Sequence, residues 1–209
     1  MLGTQDLLLF IASALLLNIT PGPDTLYIVG RSSTQGLKAG VFAALGIGAG
    51  TLVHITAAAL GLSAIFSASA SAFAALKLAG AAYLVYVGIS LMRSRASDAG
   101  MVAVPHGAAL HTIFIQGFWT NVLNPKVALF FLAFLPQFVD AEAPSKVLAL
   151  LFLGLLFNFN GTLWNLFVAW SSARIGRAVL ARGRAALWFN RTVGALFVYL
   201  GARLALSRQ

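Results

Sequence analysis

The chain has 209 residues, 60% of them hydrophobic and only 9% charged, with a mean hydropathy of +0.90. Soluble domains carry roughly 25% charged residues, so the composition excludes a soluble globular fold and indicates an integral membrane protein. There is no cysteine, which excludes disulfides, thiol redox chemistry and Cys–metal sites. The net charge of +9 lies in short segments between apolar runs, where it orients the chain in a bilayer and does not point to nucleic acid.

The apolar runs are continuous rather than alternating, which argues for helices and against a transmembrane β-barrel. No charged residue falls between Lys38 and Lys77 or between Lys146 and Arg174, and each such gap accommodates helices of about 20 residues. Six spans are expected, at roughly 5–30, 40–65, 71–92, 113–138, 146–172 and 187–206. Met1–Asp6 holds no Lys or Arg, so the first run reads as a mature helix and not as a cleavable signal.

The first span is interrupted by Asn18-Ile19-Thr20-Pro21-Gly22-Pro23-Asp24. Two prolines remove backbone donors and clash with the preceding turn, and Gly22 is expected to take backbone angles that other residues avoid. Irregular backbone at membrane depth is tolerated only where it is buried in protein or lines a watery cavity, which makes this break a candidate site. Asp24 is a charge in hydrocarbon, costing about 2.5–3.5 kcal/mol on insertion scales, and such charges are functional by default. It either holds a substrate ammonium or a proton, or caps the half-helix after Pro23.

Span 2 carries a ladder of glycines, Gly36, Gly40, Gly46, Gly48 and Gly50, read as close helix packing. It also carries His54, which is either a proton carrier or a neutral hydrogen-bonded side chain. Lys77 opens span 3 and snorkels to the surface. The longest link follows, with His106 and His111 too far apart for a convincing metal site. Span 4 has a second break, Asn121-Val122-Leu123-Asn124-Pro125-Lys126. Lys126 would bind a substrate carboxylate, neutralise Asp24 or snorkel. Asn18, Asn121 and Asn124 line the path or satisfy carbonyls freed by the prolines. In span 5, Asn158, Thr162 and Asn165 share one helical face, which lines a cavity or makes interhelical hydrogen bonds.

Basic residues collect at alternate links (Arg31 and Lys38; Arg93 and Arg95; Arg174, Arg177, Arg182 and Arg184). The positive-inside rule then places both termini on the outer side. The halves also repeat in order: Val85-Tyr86-Val87-Gly88 returns as Val198-Tyr199-Leu200-Gly201, Gly50-Thr51-Leu52 as Gly161-Thr162-Leu163, and Phe10-Ile11 with Pro21 as Phe114-Ile115 with Pro125. Three spans per half make the second half inverted relative to the first, a design that places paired broken helices around a midplane substrate site. The expected fold is thus an all-α integral membrane protein of six transmembrane helices in two inverted three-helix repeats. The repeats are 1–95 and 113–209, joined by a cytoplasmic linker 96–112, with helices 1 and 4 broken at the Pro motifs. No nucleophile, metal or phosphate-binding motif is present, so an enzyme is not expected and an ion gradient remains as energy source.

The first break, the glycine ladder, Lys77-x-x-Gly80-Ala81-x-Tyr83-Leu84-x-Tyr86-x-Gly88, and Asn124-Pro125-Lys126 with Phe130-Phe131 and Leu135-Pro136-Gln137-Phe138 resemble the LysE/RhtB superfamily of amino-acid exporters over essentially the whole chain. The resemblance implies a multi-pass protein of the bacterial inner membrane that exports amino acids or derivatives. It implies no cofactor, with the proton gradient as driving force. The motifs lie closer to the RhtB branch, which handles threonine, homoserine and related neutral compounds. The substrate or ion site would comprise Asn18, Thr20, Pro21, Gly22, Pro23, Asp24, Asn121, Asn124, Pro125, Lys126, Asn158 and Asn165. The partners would be a small amino acid and the lipid bilayer, with no nucleic acid and with a homodimer left open. The alternative is a passive channel or a structural membrane subunit.

Overall fold

The computed structural model describes residues 3–68, 107–140 and 142–175, with further helical positions between 75 and 93 and between 191 and 206. Spans 3 and 6 are thus described only at scattered positions. Lys77, His106, residues 96–106 and Arg177, Arg182 and Arg184 lie outside the described residues.

Among the described residues the elements are helical: α1 Leu7–Ile19, α2 Pro23–Gln35, α3 Leu37–Ala68, α4 Leu110–Val122, α5 Pro125–Leu129 and α6 Lys146–Ile175. A π-turn, Phe130–Phe134, and a 3-10 turn, Leu135–Phe138, continue the line of α5. Helices α3 and α6 are long and apolar enough to cross a bilayer. The pairs α1–α2 and α4–α5 each qualify as one span bent at its break, by 52° and 46°. Both bends fall at the prolines, whose missing N–H groups end one helix and start the next at its first position.

Helix α3 is the spine, packed against α2, α4 and α6. In lipid there is no hydrophobic drive between helices, so close van der Waals packing must hold them. A Cβ on Gly46 would collide with the Phe114 carbonyl, one on Gly50 would lie 2.6 Å from the Phe118 oxygen, and one on Gly117 would lie 2.7 Å from the Ala43 oxygen. Helices α3 and α4 therefore touch backbone to backbone, as the packing reading of the ladder requires. Gly36 departs from that reading. It ends α2 at φ 82° with open space around its Cα, so the turn into α3, not packing, demands glycine. Away from these helices, Gly88 and Gly194 also meet closely, each with a potential Cβ 2.5 Å from the other's carbonyl.

Two apolar clusters lie one above the other. The larger joins Phe10, Phe130, Phe134, Phe138, Leu150 and Phe157, with aromatic centroids 4.9–6.4 Å apart in tilted and edge-on pairs. The smaller joins Ile28, Ala39, Ala43, Ile47, Ile113 and Ala169. At the first end, the N-terminus is tied to the segment after the 3-10 turn by Gln5 N–H to Phe138 O (2.9 Å) and Asp140 N–H to Gly3 O (2.9 Å). At the opposite end, Gln35 Nε2 donates to Ala108 O at 3.0 Å, joining the α2–α3 link to the start of α4. Links one and three thus share one end, and the N-terminus and link four share the other.

Candidate functional site

Both breaks lie between the two apolar clusters and face each other. Helix α1 ends with carbonyls that have no successor turn to bond. Thr20 is buried and folds its hydroxyl back onto the Leu16 carbonyl at 2.6 Å. Lys126 reaches across from the second break, its Nζ donating to Thr20 O at 3.0 Å and Leu17 O at 3.2 Å. A cation at the negative end of a helix dipole is electrostatically favoured.

Gly22 takes φ −161° and ψ −174°, an extended conformation open to any residue, so the expectation of unusual angles there is corrected. What glycine supplies is space: a Cβ would stand 3.2 Å from Lys126 Nζ. Pro21 and Pro23 are exposed on the outer side of the bend and act through the backbone geometry they impose. Pro125 has the same role in the second break, where Asn124 is the N-cap. The Asn124 Oδ1 accepts from Lys126 N–H at 3.0 Å, so Asn124 shapes the break.

Asp24 occupies the first turn of α2. Its Oδ2 accepts from Asn121 Nδ2 at 2.8 Å, and Asn121 Oδ1 accepts from the Thr51 hydroxyl at 3.2 Å. Thr51, Asn121 and Asp24 thus form a polarised chain across three helices. His54 Nε2 lies 3.0 Å from the Asn121 carbonyl. A carbonyl only accepts, so Nε2 carries the hydrogen. The ring stacks on Phe131 with centroids 6.1 Å apart. His111, in contrast, is exposed beside Thr112.

These groups enclose a cavity of about 20 Å³, with Asn18, Asp24, Asn121 and Lys126 on one side and Asn158, Thr162 and Asn165 of α6 on the other. Its remaining wall is apolar, from Leu17, Ile47, Val127 and Phe157. One water needs roughly 10–15 Å³ of such space, so the cavity in this conformation has room for a water and not for an amino acid. Asp24 Oδ1 and Asn18 Nδ2 are buried without a hydrogen-bond partner. Unsatisfied buried polar atoms are uncommon, and here two of them belong to residues that line the same cavity.

Towards the α2–α3 link, a second polar network joins α2 to α4. Arg31, expected as a link residue, is instead 1% exposed. Its guanidinium donates to Gln116 Oε1 at 2.6 Å, to Gln35 Oε1 at 2.7 Å and to the Tyr27 hydroxyl at 3.3 Å. The Tyr27 hydroxyl in turn donates to the Ile113 carbonyl at 2.9 Å. A guanidinium fork satisfied on several sides is a rigid clasp, and it fastens α2 to α4.

Of the sequence-derived site residues, Asn18, Asp24, Asn121, Lys126, Asn158 and Asn165 converge on the cavity, whereas Thr20, Pro21, Gly22, Pro23, Asn124 and Pro125 build the breaks. Thr51 and Thr162 are additional lining residues. Their signal was present in the sequence, since the matched segments Gly50-Thr51-Leu52 and Gly161-Thr162-Leu163 pair these two threonines.

A helical membrane protein with two apposed broken spans around a small polar cavity belongs to the class of solute carriers in its construction. The family model of the LysE type translocator matches residues 15–208, and the chain belongs to that family. It is 30% identical to an uncharacterized membrane protein of Pseudomonas aeruginosa, over 99% of this chain and 97% of the relative. It is 26% identical to the leucine efflux proteins of Salmonella choleraesuis and Salmonella typhimurium, over 97% of this chain and 96% of each relative. No solved structure matches the chain. The protein is a multi-pass membrane transporter of the amino-acid exporter type, not an enzyme.

Proposed function

We propose that the chain exports a neutral amino acid or close derivative across the bacterial inner membrane in exchange for a proton. In this reading six helices form two inverted three-helix repeats, 1–95 and 113–209, linked by a cytoplasmic segment 96–112, with both termini outside. The observation that carries it is the cavity at the apposed breaks, where Asp24 keeps a buried carboxylate oxygen without a partner. That oxygen suits a substrate ammonium, which brings three donors. The cavity amides and the free N–H groups at the start of α2 suit its carboxylate.

The apolar wall of Leu17, Ile47, Val127 and Phe157 supports a neutral side chain, and among the described residues no carboxylate besides Asp24 lines the cavity to select a basic one. Relatives named for leucine efflux add an aliphatic candidate to the threonine and homoserine expected from the sequence. Because the cavity is too small for an amino acid, transport requires the halves to rock open in turn, each ligand biasing that equilibrium by its differential affinity.

The test is efflux from cells that overproduce the protein and are loaded through dipeptides of leucine, threonine or homoserine, with and without a protonophore. Selective efflux that collapses with the protonophore is expected. Efflux that persists down its own gradient would identify a channel, and no efflux of any compound would leave a structural subunit.

A further inference from the structure

Lys126 is the cation that joins the two breaks. It belongs to the first turn of α5, yet its Nζ bonds the Thr20 and Leu17 carbonyls at the end of α1, 3.0 and 3.2 Å away. Those carbonyls, together with Asp24 on the same cavity wall, make a site for an ammonium group. An amino acid presents the same group as Lys126, a compact cation with three donors. Only one of them can hold those carbonyls at a time, since Lys126 Nζ already takes both.

We propose that Lys126 carries the exchanged proton: its ammonium occupies the substrate's ammonium site at the Leu17 and Thr20 carbonyls and must lose its proton before substrate binds. This inference rests on the export reading above. Facing the cytoplasm, the ammonium gives its proton to water there, and the neutral amine withdraws from the carbonyls. The substrate ammonium then takes those carbonyls and Asp24. Facing outward, the amine takes a proton from external water, the ammonium reclaims the carbonyls, and the substrate leaves. One proton enters for each substrate exported.

Two other titratable groups are near. Asp24 from α2 is the fixed counter-charge for whichever ammonium is present. His54 from α3 is turned towards the Asn121 carbonyl. Helices α1, α4 and α6 present no titratable group to the cavity, only Asn18, Asn121, Asn158, Thr162 and Asn165 among its polar residues. This arrangement makes exchange obligatory, because the ammonium groups of the protein and of the substrate compete for the same carbonyls and repel one another.

The experiment uses the full-length chain in detergent micelles, lightly buffered with a pH-indicator dye, with leucine and threonine as the added probes. Wild-type protein is expected to release about one proton per substrate bound, and its affinity is expected to rise about tenfold per pH unit below the Lys126 titration. Lys126→Gln is expected to bind without proton release and with an affinity independent of pH, and His54→Gln to keep the release. Wild-type binding without proton release overturns the proposal and needs no variant to be folded. Release that persists in Lys126→Gln, or is lost only in His54→Gln, overturns it as well. Failure of the wild type to bind leucine, threonine or homoserine, and to exchange any of them in vesicles, would overturn the export reading itself, a result distinct from binding without release.

Discussion

At the scale of single residues, the site depends on groups that are buried and incompletely bonded. Asp24 accepts from Asn121 on one oxygen, and its other oxygen is buried without a hydrogen-bond partner. Asp24→Asn is expected to lose substrate affinity by about 2–5 kcal/mol, the cost of removing one partner of a desolvated charge pair. Binding calorimetry in micelles would show it, and wild-type affinity in that variant would remove Asp24 from the site. Asn121→Ala strips Asp24 of its donor, while Thr51 keeps the Ile47 carbonyl, and is expected to cost about 1–3 kcal/mol of stability. Two glycines make a contrasting pair. Gly36→Ala forces a side chain into φ 82° and is expected to cost about 1–3 kcal/mol. Gly22→Ala starts from φ −161°, so its stability should change little, while its new methyl presses on Lys126 and shifts substrate affinity. Thermal unfolding and binding, measured on both variants, separate the two cases.

At the scale of elements, two features do different work. The breaks are programmed locally: proline at the first helical position in α2 and α5, and the Asn124 cap on α5. Asn124→Ala is expected to cost about 1 kcal/mol, the usual value of a helix cap, with a correspondingly lower Tm. The α3–α4 seam is set by contact. Because Gly46 lies against the Phe114 carbonyl, a larger residue must push two backbones apart. Gly46→Val is therefore expected to lower stability by about 1–3 kcal/mol or more. A Tm equal to wild type in that variant would mean the seam is looser than described.

At the scale of the molecule, the cavity lies between the phenylalanine cluster and the Arg31–Gln116–Tyr27 clasp. Breaking the clasp should favour opening at that end alone, since it fastens α2 to α4 and leaves α5 and α6 free. The absence of native cysteine makes the orientation directly measurable. Lys38→Cys and Glu142→Cys sit on exposed positions at opposite ends. An impermeant thiol reagent applied to intact inside-out vesicles is expected to label the first and spare the second, and the reverse pattern would invert the topology.

Much of this was legible in the chain itself. Composition and unbroken apolar runs determine that it lives in a bilayer, because hydrocarbon admits few charges. Proline chemistry determines where helices break, because the missing N–H is a property of the residue and not of its surroundings. The polar side chains within the spans mark the site for the same reason that makes them costly. The tertiary structure alone decided which groups meet. Spacing could not tell that Asn121, rather than Lys126, hydrogen-bonds Asp24, or that Lys126 bonds the end of α1. Nor could it tell that Arg31 is buried as a clasp or that Gly22 serves space and not angle. Each of these depends on a partner about a hundred residues away or on a neighbouring helix, and local sequence carries no record of the distance at which two helices finally pack.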